Sequence, residues 1–136
     1  MITEHQKREL RKIFVREPIV IAYLFGSLAK GQEQKGSDAD IAVHVSPALS
    51  KEHRFALRLN LMERASRILK RSVDVVVLND IVSLFFKYVI ITEGVVLYQK
   101  SEVHRIEIES TIYTLYFDFQ PFLQNFTRHY VAHHHQ

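Results

Sequence analysis

Residues 19–45 read IVIAYLFGSLAKGQEQKGSDADIAVHV, and the rest of the chain is best understood outward from them. Ile19 to Phe25 is a nearly unbroken apolar run of strand length between Pro18 and Gly26, the pattern of a strand buried on both faces and central in a sheet. Residues 26–37 hold three of the four glycines, which predicts a turn, a brief helical piece and a polar loop. From Asp38 to Val45 polar and apolar residues alternate. A second strand follows, with Ile41, Val43 and Val45 on one face and Asp38, Asp40 and Ala42 on the other.

Upstream, Thr3 is placed to cap a helix running to Glu17, with Gln6 completing a capping box and Leu10, Ile13 and Phe14 sharing one face. Pro18 closes it. Downstream, Ser50 opens a long helix to about Arg71, on which Phe55, Leu59, Met62, Ala65 and Leu69 recur at helical spacing and predict the core stripe. Ser72 to Leu78 reads as a third strand. Asp80 is placed to cap a helix over 81–92 that Gly94 ends, and Val95 to Tyr98 reads as a short edge strand. From Ser101 the periodicity is again helical, interrupted only by Pro121, and aromatic at Tyr113, Tyr116, Phe117, Phe119, Phe122, Phe126 and Tyr130. Helices and strands therefore alternate in an α/β chain of four strands.

Its 136 residues suit one domain spanning 1–136, with a core at about 19–98 and a C-terminal helical segment at 101–132. At 47% hydrophobic and 24% charged residues, disordered and fibrous classes fall away. The absence of cysteine removes disulfides, thiolate zinc sites and cysteine nucleophiles, and suits a reducing compartment. The N-terminus lacks a signal-peptide core and no run is long and apolar enough to span a membrane, so the expected location is the cytoplasm, without membrane contact. Net charge is only +3, but residues 51–71 carry seven Lys/Arg against two Glu. That helix reads first as a solvated surface, with a secondary capacity to steer phosphates. His133, His134 and His135 form a cluster able to bind metal weakly, but a frayed tail explains them better.

The chemistry is concentrated at three acids. Asp38 and Asp40 are two apart on a strand, so both carboxylates project from one face, and Asp74 lies near the start of the next strand. Oxygen donors so grouped suit hard divalent cations such as Mg²⁺, and can hold two ions about 4 Å apart for phosphoryl or nucleotidyl transfer. An isolated Asp-x-Asp is commonly a turn residue followed by an outward-facing strand residue. Here, however, a buried strand runs into Gly26-Ser27, where backbone N–H groups and the serine hydroxyl can face an anion without obstruction. Lys30 is equally compatible with a phosphate contact and with an exposed lysine. His44, on the same strand face as the aspartates, reads as a partly buried histidine. Neither a P-loop nor a dinucleotide-binding glycine motif occurs.

Gly26-Ser27, ten intervening residues and Asp38-Ala39-Asp40, with GSLAKG at the opening and Asp74 within SVDVVVL, resemble the nucleotidyltransferase signature of the DNA polymerase β superfamily. EGVVLYQ and the following helix, with Arg105, Glu109, Tyr116 and Asp118, are similar to its short prokaryotic members, the minimal nucleotidyltransferases. The resemblance implies a mixed sheet of about four strands flanked by helices, and Mg²⁺-dependent transfer of a nucleoside monophosphate with release of pyrophosphate. It implies further that Gly26 and Ser27 hold the triphosphate, that Ser37 hydrogen-bonds a terminal phosphate, that Asp38, Asp40 and Asp74 bind two Mg²⁺ ions, and that Asp74 acts as base. Minimal nucleotidyltransferases commonly serve as antitoxins of HEPN ribonuclease toxins, some by attaching AMP from ATP to a toxin tyrosine. That gives the leading expectation, with a HEPN toxin and ATP as partners and no direct nucleic-acid substrate. Modification of a small molecule such as an aminoglycoside is the alternative, although the roughly 35 residues after the last strand are few for an acceptor domain. Inhibition by binding alone, through the aromatic helix, is the third. A homodimer or hetero-oligomer suits either antitoxin reading.

Overall fold

The computed structural model describes residues 2–31 and 38–134, with side chains as far as Gln120. Ser37, the side chains of the His133–His135 cluster and the aromatic residues beyond Pro121 therefore lie outside the described set. The elements run α1 (Glu4–Phe14), β1 (Ile19–Phe25), β2 (Ala39–Val45), α2 (Lys51–Leu69), β3 (Val73–Val77), a 3-10 turn (Leu78–Asp80), α3 (Leu84–Glu93), β4 (Val95–Gln99) and α4 (Glu102–His134). The strands form one mixed sheet in the order β3-β2-β1-β4. β1 is antiparallel to both β2 and β4, while β2 and β3 are parallel because α2 crosses between them. Thus β1 is internal and β4 is an edge, as their apolar and half-polar patterns predict.

Each face of the sheet carries its own core. Ile41, Val43 and Val45 point to one side, against Leu10, Ile13 and Phe14 of α1 and Leu57, Leu61, Ala65 and Leu69 of α2. Tyr23, Ile21 and Ala42 point to the other, against Ile90 and Ile91 of α3 and Ile112 of α4. One polar tie crosses this second layer: the fully buried Tyr23 hydroxyl donates to Glu109 at 2.6 Å, and Arg105 joins Glu109 at 3.1 Å and Gln99 at 2.6 Å. Burial and the neighbouring carboxylate push the Tyr23 phenol well above its usual pKa, so it remains a donor.

Four expectations are corrected. α1 ends at Phe14, three residues before Glu17, although its Thr3–Gln6 capping box forms as expected. On α2, Phe55 and Leu59 are exposed, and Leu57 and Leu61 face the sheet in their place. The helix is apolar on several sides, so two stripes at four-residue spacing compete, and the crossover path selects one. Asp80 does not cap α3; it lies in the 3-10 turn and pairs with Arg54 at 2.8 Å, while Ser83 caps the helix by accepting from the Phe86 N–H. Finally, α4 runs through Pro121. A proline removes one donor from the ladder, and the remaining turns keep theirs.

Gly94 ends α3 with φ of −75°, not in a left-handed conformation. Its reason is space: a Cβ there would collide with the Ile90 carbonyl oxygen and approach that of Leu24 to 3.3 Å. Among the described residues, no helix is long and apolar enough to cross a membrane.

Candidate active site

β1 delivers the chain to Gly26, whose φ of +76° lies in the region open to glycine. The bend is closed by the Lys30 N–H donating to the Gly26 carbonyl at 3.2 Å, and anchored by Leu28, which is buried. Ser27 is half-buried at its tip. The expected brief helix is a series of turns as far as Gly31.

Sheet register places the acids. Asp40 is opposite Phe25 on the β1 side and opposite Asp74 on the β3 side, so Asp40 and Asp74 share a face beside the Gly26 bend. Ala39 and Ile41 point into the α1–α2 core, which turns Asp40 to the other face. Asp38 precedes β2 and is exposed. Partial burial, then Asp74, then Asp38 raise the pKa of Asp40 above the usual carboxylate range. The acids are therefore close enough to repel one another. Among the described residues, no three His, Asp or Glu side chains are gathered tightly enough to hold an ion as placed. Asp38, Asp40 and Asp74 thus share one end of the sheet without closing into a cage.

Two basic side chains occupy this region: Lys30, a candidate within the motif itself, and Arg58, which the spacing of the motif does not disclose. Arg58 of α2 reaches around the free edge of β3, donating through Nε to the Val75 carbonyl and through Nη2 to Asp74 Oδ1 at 3.4 Å. Lys30 pairs with Glu93 at the end of α3, at 3.0 Å, instead of standing free beside the bend. Both pairs are substantially exposed, where ion pairs are worth about 0–1 kcal/mol, so either cation is readily released to a stronger ligand. No sequence signal marks Arg58, because its role depends on where α2 lies against β3.

His44 continues the Asp40 face and lines a separate cavity of about 290 Å³ with Lys87, Asn79 and Glu107. Its Nδ1 is buried without a hydrogen-bond partner among the described residues. Burial, followed by the Lys87 charge, lowers its pKa. It is a partly buried histidine, as its position predicts.

As a donor set, the acids fit a hard cation: they supply only oxygen ligands, and their mutual repulsion is what a divalent ion would relieve. For Asp74 to contribute, its contact with Arg58 must loosen.

Comparison with solved structures shows the fold. A chain of a crystal structure of a toxin-antitoxin with AMP-PNP aligns with a TM-score of 0.75 at 22% identity, covering 96% of this chain and 99% of that one. A chain of the toxin-antitoxin MntA-HepT aligns with a TM-score of 0.73 at 20% identity, covering 95% and 99%. A chain of the tri-AMPylated Shewanella oneidensis HEPN toxin in complex with MNT antitoxin aligns with a TM-score of 0.61 at 20% identity, covering 93% and 99%. No curated protein matches the sequence. The model of the polymerase beta nucleotidyltransferase family matches residues 8–103, which take in the glycine bend, all three aspartates and the whole four-stranded sheet. The chain belongs to the polymerase beta nucleotidyltransferase family.

Proposed function

We propose that this protein is an antitoxin of the minimal nucleotidyltransferase type, acting as one domain in the cytoplasm to transfer AMP from ATP to a tyrosine of a cognate HEPN ribonuclease toxin. The observation that carries the reading is the in-register Asp40–Asp74 pair set against the Gly26-Ser27 bend. The solved relatives include a toxin-antitoxin with AMP-PNP and an AMPylated HEPN toxin, which supports the choice of nucleotide and acceptor.

In this reading Gly26 and Ser27 receive the triphosphate, with Ser37 and Lys30 at its outer phosphates. Asp38, Asp40 and Asp74 would hold Mg²⁺, two ions in all, whose chemistry when bound is to neutralise triphosphate charge and acidify the attacking hydroxyl. Asp74 takes the phenolic proton. The tyrosine oxygen bonds to the α-phosphorus as the bond to pyrophosphate breaks. Asp74 suits an acceptor carried by another protein, because it is half exposed on the edge strand β3. Phe85 and Phe117 are more than half exposed around the stacked Tyr88–Tyr116 pair, an apolar surface on which a toxin can dock.

The test is incubation of the purified protein with α-labelled ATP, Mg²⁺ and a candidate HEPN toxin, followed by mapping of the label. Label on a toxin tyrosine is the expected result. A labelled aminoglycoside in parallel reactions would replace the acceptor, and a tight unlabelled complex would replace transfer with inhibition by binding.

A further inference from the structure

At the sheet edge away from β3 lies an open cleft of about 850 Å³ between α1 and β4. Arg8, Arg11 and Lys12 line it from α1, and Arg105 lines it from α4. The three α1 cations sit at helical neighbour spacing, on the side away from the buried Leu10, Ile13 and Phe14. Among the described residues, Arg8 and Arg11 have no ion-pair partner, whereas Lys12 is held by Glu9 and Arg105 by Glu109. Between these cations runs the outer side of β4, which pairs with β1 alone, and Val15 and Val96 add exposed aliphatic surface.

From this arrangement we infer that the β4 edge is a docking site for an extended acidic peptide segment of a partner protein, taken up as a fifth strand. The geometry favours a strand because α1 packs on one face of the sheet and α4 on the other. Side chains of an added strand alternate between faces, so acids at every second position meet Arg8, Arg11 and Lys12 while intervening residues pass on the Arg105 side. A second copy of this chain is disfavoured, since edge-to-edge pairing would bring two sets of α1 cations together. A nucleic-acid strand would satisfy the charges, but it would leave the β4 backbone groups unpaired and find only the partly buried Tyr98 for stacking. The inference is independent of nucleotidyl transfer, because none of its residues belongs to the carboxylate site.

The test uses the full chain and a fluorescent peptide of about eight residues alternating Glu with Val, a length matched to an ordinary strand. Binding is followed by anisotropy at low and high salt, and folding of each variant is checked by thermal melting. The peptide is expected to bind, more weakly as salt rises. The Arg8→Glu/Arg11→Glu double variant should weaken binding by about tenfold or more, with the Arg8→Lys/Arg11→Lys double variant retaining most of it. A peptide of the same charge, N-methylated along one backbone edge, should lose as much. Equal binding by the N-methylated peptide, tighter binding by an oligouridylate of similar length, or no binding by the Glu-Val peptide would each overturn the inference.

Discussion

Gly26 faces the carboxylate of Asp40 so closely that a Cβ on the glycine would lie 2.5 Å from Asp40 Oδ2. The bend and the acid are therefore one unit: a side chain at position 26 must move the carboxylate and also occupy a left-handed backbone. Gly26→Ala should cost about 1–2 kcal/mol from the backbone alone, together with a loss of ATP affinity. Urea unfolding and nucleotide titration check this, and unchanged values for both would contradict the contact.

Asp40→Asn separates stability from activity. The raised pKa means that the fold disfavours the charged carboxylate, so the native state holds its proton longer than the unfolded chain does. Stability then falls as pH rises from the unfolded value, near 3.8, through the raised native value. Without divalent ions, the Asn variant should be more stable than the parent at neutral pH, with the difference vanishing in acid. Transfer should be lost. Melting curves across pH test the sign, and a less stable variant at pH 7 would refute it.

Arg58 pairs with Asp74, and under the proposed function it would compete with a cation for the same oxygen. Arg58→Gln should cost little stability, about 0–1 kcal/mol for a half-exposed pair. It should also lower the magnesium concentration needed for half-maximal transfer. A magnesium titration of both proteins decides it, with an unchanged midpoint counting against the competition.

His44 imposes the opposite pH trend. Burial and Lys87 depress its pKa, so as pH falls below 6.5 the unfolded chain takes up a proton that the folded chain refuses, and stability declines until the native pKa is passed. His44→Leu should flatten this decline. Urea midpoints between about pH 7 and 5 provide the comparison, the range in which an ordinary histidine titrates; parallel profiles would show that His44 contributes nothing.

Much of this protein is local in origin and so was legible along the chain. The bounds of β1 follow from its apolar run between Pro18 and Gly26, and the capping box from Thr3 and Gln6, whereas Asp38, expected within the second strand, lies just before it. The start of α3 was not legible, because Asp80 and Ser83 are both competent caps and Arg54, distant in sequence, claims the first. Nor was the buried side of α2, since a helix apolar on several sides carries no internal sign of which one meets a sheet.

Strand identity and the spacing of the acids were thus settled by the sequence itself, because they depend on backbone periodicity over a few residues. Tertiary structure alone decided that Asp74 stands beside Asp40, that Arg58 holds Asp74, that Lys30 turns to Glu93 and that the α1 cations border an open β4 edge. Those relations join groups far apart in the chain, and their distances exist only once strand register and helix crossing bring the groups together.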